Sequence, residues 1–212
     1  IKAIAAYRRI IDETKESEFY GESFYRLGRL FQEAGSHDQA VDAFEKCLKN
    51  TDKAEFKEAS TFQLAEANRE LKEWGSALKL YNAVIKEFPK TKAINEALYG
   101  AGICSMELGA IKDAEDNFNK VIEQTETVTS ARSELGLGEI LMRAGKFKEA
   151  AKRFLKVNFI YGYPEWKPLA LSKAAECWEK AEEPNRAKTF YKLLIKSFPD
   201  SPQAAEAKEK IG

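Results

Sequence analysis

A single histidine, His37, is the only imidazole in this chain of 212 residues. One imidazole removes most metal, triad and acid–base arrangements before any motif is sought. Cysteine is nearly as scarce. Cys47, Cys104 and Cys177 are odd in number and far apart, with no CxxC pair, so neither a disulfide framework nor a zinc or dithiol site is indicated. They read as small buried hydrophobes, and three free thiols fit a reducing compartment slightly better than an oxidising one. Net charge is absent too, because 34 Lys+Arg balance 34 Asp+Glu. Bulk charge therefore gives a nucleic acid no hold. No apolar run approaches the roughly 18 residues that a spanning helix needs. There is no GK[ST] phosphate motif. Glu134-Leu135-Gly136-Leu137-Gly138 has the glycine spacing of a nucleotide loop, but it lies inside a predicted helix and follows no strand. Carboxylates are plentiful, yet the pattern forces none into an apolar setting, so no acid–base pair stands out. These absences point away from an enzyme and away from any cofactor or metal. The chain also lacks an initiating Met. IKAIAAYRRIID opens it as an amphipathic helix without a start signal, and a fragment of a longer protein is expected.

What is present is a repeat. At 44% hydrophobic and 32% charged residues, the composition is that of a folded chain, neither disordered nor membrane-embedded. The pattern Ala-x-x-x-aromatic-x-x-apolar occurs at Ala3/Tyr7/Ile10, Ala40/Phe44/Cys47, Ala77/Tyr81/Val84, Ala114/Phe118/Val121, Ala150/Phe154/Val157 and Ala187/Tyr191/Leu194. The alanines step by 37, 37, 37, 36 and 37 residues. Twelve residues before each alanine from Ala40 onward stands a small residue: Gly28, Ala65, Gly102, Gly138 and Ala175. Between the two columns, Gly35, Gly109 and Gly145 mark a turn five residues before their alanines. Apolar residues recur at three and four spacings on both sides of that turn, the amphipathic helical period. Each repeat thus reads helix, tight turn, helix. Small residues let the two helices approach, and the aromatic fills the space between neighbouring repeats, which must stack to bury such faces.

The runs FYRLGRLFQEAGSHDQAVDAFEKCL, LYGAGICSMELGAIKDAEDNFNKVI and ELGLGEILMRAGKFKEAAKRFLKV resemble tetratricopeptide repeats. The resemblance covers nearly the whole chain and departs from the family in length, since the family's repeat usually has 34 residues. It implies an all-α, right-handed superhelical solenoid of antiparallel helix pairs. A single domain over 1–212 is expected, with a half repeat at 1–15, five full repeats at about 21–57, 58–94, 95–130, 131–167 and 168–201, and a terminal helix at 203–211. The linkers EFPKTKAINEA and SFPDSPQAAEA, with Phe88-Pro89 and Phe198-Pro199, resemble those of bacterial cell-envelope repeat proteins such as the Tol–Pal-associated coordinator and the outer-membrane barrel-assembly lipoprotein. Pro ends one helix, and Ser201 before Pro202 caps the next.

The resemblance implies that first helices line a concave face where an extended peptide or short helix of a partner protein lies. The columns expected there begin with Tyr25, Phe62, Tyr99, Leu135 and Ser172, continue with Arg29, Glu66, Ile103, Glu139 and Glu176, and end with Gln32, Arg69, Met106, Met142 and Glu179. The candidate partner-binding residues are Tyr25, Arg29, Phe62, Arg69, Tyr99, Ile103, Met106, Leu135 and Met142. Tyr99, Ile103, Met106, Leu135 and Met142 make the middle of this surface apolar, which reads either as a partner groove or as tighter helix packing. Some members of the family hold C-terminal carboxylates with a Lys/Asn clamp. Tyr25 and Arg29, then Phe62 and Glu66, stand in its place here, so no clamp activity is expected. Arg29, Arg69, Arg132 and Arg143 are candidates to pair acidic groups of a ligand.

FIYGYPEWKP at 159–168 breaks the pattern. Tyr161, Tyr163 and Trp166 there read either as a secondary aromatic contact for a partner or as rings plugging the gap between repeats. His37 stands where other repeats have Trp74, Ile111 and Phe147, and reads as a half-exposed packing residue. Three function classes remain: a protein-interaction scaffold, which is favoured; an accessory domain of a larger protein or enzyme; and a helical-repeat nucleic-acid binder, which the balanced charge disfavours. Uncapped terminal repeats leave apolar faces open, so end-to-end self-association through Ile4, Tyr7 and Ile11 is expected.

Overall fold

The computed structural model describes residues 2–13, 18–124 and 126–211. Residues 1, 14 and 15 of the half repeat and the side chain of Ala3 lie outside the described residues. Among the described residues there are twelve α-helices and no strand. The chain falls into two compact units, Ile1–Ala110 and Ile111–Gly212. The first holds α1 (Lys2–Glu13), α2 (Tyr20–Glu33), α3 (His37–Asn50), α4 (Ala54–Glu70), α5 (Trp74–Glu87) and α6 (Ile94–Glu107). The second holds α7 (Ile111–Gln124), α8 (Val128–Arg143), α9 (Phe147–Phe159), a 3-10 turn (Pro164–Trp166), α10 (Lys167–Lys180), α11 (Pro184–Ser197) and α12 (Pro202–Ile211). The division falls between α6 and α7, the helices that the sequence period pairs as its third repeat.

Each turn between paired helices is built the same way. Its fifth residue before the column alanine has positive φ: 71° at Gly35, 61° at Lys72, 78° at Gly109, 73° at Gly145 and 60° at Glu182. The amide of that residue bonds back three residues and the next amide bonds back five, as in Gly35 to Gln32 at 2.9 Å and Ser36 to Phe31 at 2.8 Å. This pair of hydrogen bonds closes the C-terminus of the first helix. Lys72 and Glu182 adopt the same conformation as the glycines, so the tertiary packing enforces it against a local cost of about 1 kcal/mol. Ser201 caps α12 as expected, with its Oγ accepting from the Ala204 amide at 3.2 Å. Thr127 and Ser130 form a reciprocal cap at the start of α8.

The alanine and aromatic columns are the core. Ala40, Ala77, Ala114, Ala150 and Ala187 are buried, and so are Phe44, Tyr81, Phe118, Phe154 and Tyr191. A Cβ added at Gly28 would sit 2.6 Å from the Phe44 ring of its own repeat. A Cβ at Gly100 of α6 would run into the Tyr81 ring of the preceding repeat. Tyr81 thus stands in a slot between Ala65 of its own repeat and α6 of the next, the filling role that the period assigns to the aromatic.

Candidate partner-binding faces

In the first unit, the expected ring column lies on three successive first helices. Tyr25 on α2, Phe62 on α4 and Tyr99 on α6 are all half-buried. Two of them lean on the repeat core. Tyr25 lies 6.0 Å from Phe44 and 5.6 Å from Phe56 between ring centroids, and Phe62 meets Tyr81 edge-on at 6.2 Å. Ile103 is half-buried as well, whereas Met106 is only 8% exposed. Met106 is therefore a packing residue and offers little surface to a partner.

The four arginines named as candidates to pair an acidic ligand are engaged within the chain. Arg29 faces Glu33 at 3.7 Å and Arg143 faces Glu139 at 3.4 Å. The Arg132 guanidinium lies over the Trp166 ring at 5.9 Å. Arg69 is held most firmly. Its Nη2 donates to Glu66 at 2.9 Å and to Glu70 at 2.7 Å, and its Nε donates to the Tyr81 hydroxyl oxygen at 3.2 Å. The Tyr81 hydroxyl in turn donates to Glu66. Burial, followed by the charge of Glu66, raises the Tyr81 phenol well above its ordinary range. Burial works to lower Arg69, but the contacts with Glu66 outweigh it and the guanidinium stays charged. This triad makes Arg69 a brace for its repeat.

In the second unit, Leu135 and Met142 of α8 are half-buried and pack against the core. Tyr161 is buried among Ala131, Val157 and Ala170, so it plugs the inter-repeat gap and offers no ring to a partner. Tyr163 donates from its hydroxyl to the Glu126 carbonyl at 3.4 Å, and Trp166 is half-buried. Ile4, Tyr7 and Ile11 of α1, expected at an end contact, pack against the cluster around Leu27 and Phe31. The three thiols are buried, and burial pushes Cys104 and Cys177 up to about 11. They are protonated at neutral pH and weak as nucleophiles.

Models of the tetratricopeptide repeat match residues 25–91, 62–128 and 169–201, more than half of the sequence. The chain belongs to the tetratricopeptide-repeat family. No curated relative matches it by sequence. Among solved structures, it resembles a tetratricopeptide repeat protein from Parabacteroides merdae, with 19% identity, a TM-score of 0.75 and coverage of 98% of this chain and 77% of that one. The apo quorum sensor NprR from B. thuringiensis gives 17% identity, a TM-score of 0.75 and coverage of 98% and 64%. YrrB, described as a tetratricopeptide repeat protein with an unusual peptide-binding site, gives 17% identity, a TM-score of 0.65 and coverage of 96% and 98%. At such identities the likeness is one of fold. Proteins of this family generally mediate protein–protein interaction, and among the described residues no helix is long and apolar enough to cross a membrane.

One feature of these tetratricopeptide repeats escapes the sequence period. Glu134 of α8 has a side chain only 2% exposed. It accepts from Arg153 at 2.9 Å and from Lys156 at 3.1 Å, both on α9. The expectation that no carboxylate sits in an apolar setting is corrected here. The signal was in the column sixteen residues before each alanine, which reads Phe24, Thr61, Leu98, Glu134 and Leu171. Glu134 is its one charge, and the compensating cations lie three and six residues beyond Ala150.

Proposed function

We propose that the chain is a non-catalytic scaffold that holds a peptide or helical segment of a partner protein on its first-helix faces. The observation that carries this reading is the ring column of the first unit. Tyr25, Phe62 and Tyr99 recur at one register of α2, α4 and α6, and none of the three is fully buried. Rings spaced by one repeat can seat successive side chains of an extended or helical segment. Ile103 widens that apolar face. In the second unit, Leu135 and Met142 offer smaller apolar contacts at corresponding positions. The partner supplies flexibility and bears the ordering entropy, because the repeat faces are already shaped. A peptide-binding site in the similarly folded YrrB supports this reading. The Phe-Pro linkers support a bacterial cell-envelope assembly as its setting.

The test is selection from a random peptide library, followed by calorimetric titration of the selected peptide into wild type and Tyr99→Ala. The expected result is a loss of affinity of at least about tenfold with helicity unchanged, as for one aromatic anchor of an interface. A selected peptide that binds Tyr99→Ala as it binds wild type would refute the reading.

A further inference from the structure

The exit of α9 exposes two large apolar side chains, Phe159 at 66% and Ile160 at 55%. The matching positions of the other four complete repeats are Lys49-Asn50, Lys86-Glu87, Glu123-Gln124 and Lys196-Ser197. The repeat frame therefore has no need of apolar residues there, and their exposure gives nothing to the fold. The segment that carries them is anchored. Tyr161 turns inward immediately after Ile160, and Tyr163 is tied to the Glu126 carbonyl.

The apolar pair ends a basic surface. α9 and α11 together carry eight Lys or Arg and a single acidic residue, Glu149. Lys148, Lys152 and Lys156 follow one another every four residues on α9, as do Lys188, Lys192 and Lys196 on α11. Each set forms a stripe along its helix. Lys148 reaches Glu183, the residue before α11, at 3.0 Å, which links the starts of the two helices. Lys196 occupies in its repeat the position of Phe159. Glu182 and Glu183 stand just before α11, and Glu165 and Asp200 lie in the adjoining linkers.

We propose that this edge of the second unit docks on an anionic phospholipid surface. Phe159 and Ile160 enter the acyl boundary while the exposed Lys152, Lys188, Lys192 and Lys196 meet the headgroups; Arg153 and Lys156 stay with Glu134 and Lys148 stays with Glu183. Two apolar side chains alone bind a bilayer weakly, and lysines alone are easily screened; together they give the two signals that stable peripheral binding needs. Side chains that project into solvent suit a deformable acyl boundary, whereas a protein partner must provide a matching pocket. Lysine stems lie along the interface while their ammonium groups stay at the phosphates.

Sedimentation with mixed phosphatidylglycerol–phosphatidylcholine vesicles tests this. Wild type is expected to pellet with them, to stay in solution with pure phosphatidylcholine, and to be released by salt. Phe159→Lys/Ile160→Asn installs the first repeat's own pair, so the fold is kept, and binding is expected to fall by at least about tenfold. Lys192→Gln/Lys196→Gln is expected to reduce binding to the anionic vesicles several-fold. Phe159→Trp is expected to be quenched by brominated acyl chains, which a purely electrostatic contact would not produce. Absence of wild type from the anionic pellet, unchanged pelleting of both double variants, or an unquenched Phe159→Trp would each overturn the proposal. So would binding of a glutamate-rich peptide by a wild type that ignores the vesicles, since that surface would then take an acidic protein.

Discussion

The repeat of α2 and α3 and the repeat of α8 and α9 share one frame and fill it with different chemistry. Leu27 and Phe31 floor a cleft of about 430 Å³ in the first, and Leu137 and Leu141, 110 residues on, floor one of about 520 Å³ in the second. The walls differ. Asp38, Asp42 and Lys46 stand on α3, whereas Glu149, Lys152, Arg153 and Lys156 stand on α9. Inside, Phe24 and Ala43 of the first repeat become Glu134 and Arg153 of the fourth. The backbone is indifferent to this exchange because the alanine, aromatic and turn columns hold the helices. Charge on the second helices is where the repeats are free to diverge, and a net charge of zero hides that divergence.

The comparison breaks most severely if Glu134 is left buried without its cations. Arg153→Ala/Lys156→Ala is expected to lower stability by about 3 kcal/mol in urea denaturation, the cost of an uncompensated buried charge. Adding Glu134→Leu, the residue type of Leu98 and Leu171, is expected to recover most of that loss. Failure of the leucine to rescue would show that Glu134 has a role beyond pairing. The aromatic slot is next. Gly100→Ala places a methyl group against the Tyr81 ring and is expected to cost about 2 kcal/mol by overpacking.

The turns sharpen the comparison further. Gly109→Ala is expected to cost about 1 kcal/mol because φ is positive there. Lys72→Gly, at the same register, is expected to change stability by less than about 0.5 kcal/mol, since strain relief offsets the added freedom of the unfolded chain. The thiols give the smallest effect at neutral pH. Cys104 and Cys177 are raised from 9.0 to about 11 in the folded chain. A raised acid keeps its full stabilising contribution below the unfolded value and loses it as pH climbs through the folded one. Stability should therefore be unaffected by these groups below pH 9 and fall between about 9 and 11. Thiol labelling at pH 7 should report unfolding and remain slow on the native chain. Rapid native labelling would contradict their burial.

Much of the fold was legible because the period is redundant. Ala40, Phe44, Gly28 and Gly35 each mark a different part of the same helix pair, and the other repeats restate most of them in register. The turns at Lys72 and Glu182 carry no glycine, yet the register alone placed them. The side-chain partnerships were harder to read. Arg69 looked available because its column faces a groove, but the Tyr81 hydroxyl and Glu66 lie within reach only once α4 and α5 are packed. For Met106 and Tyr161 the sequence leaves contact and packing both open, because the period locates a side chain on a helix without saying how deeply a neighbouring element covers it. Glu134 was missed because the apolar columns were read and the sixteenth residue before each alanine was not compared across repeats.

The most direct test of the scaffold reading is hydrogen exchange with and without a library-selected peptide. The account predicts slowed exchange on the first helices α2, α4 and α6, where Tyr25, Phe62 and Tyr99 reside, with the second helices α3 and α5 unchanged. Protection confined to the second helices, or none at saturating peptide, would contradict it.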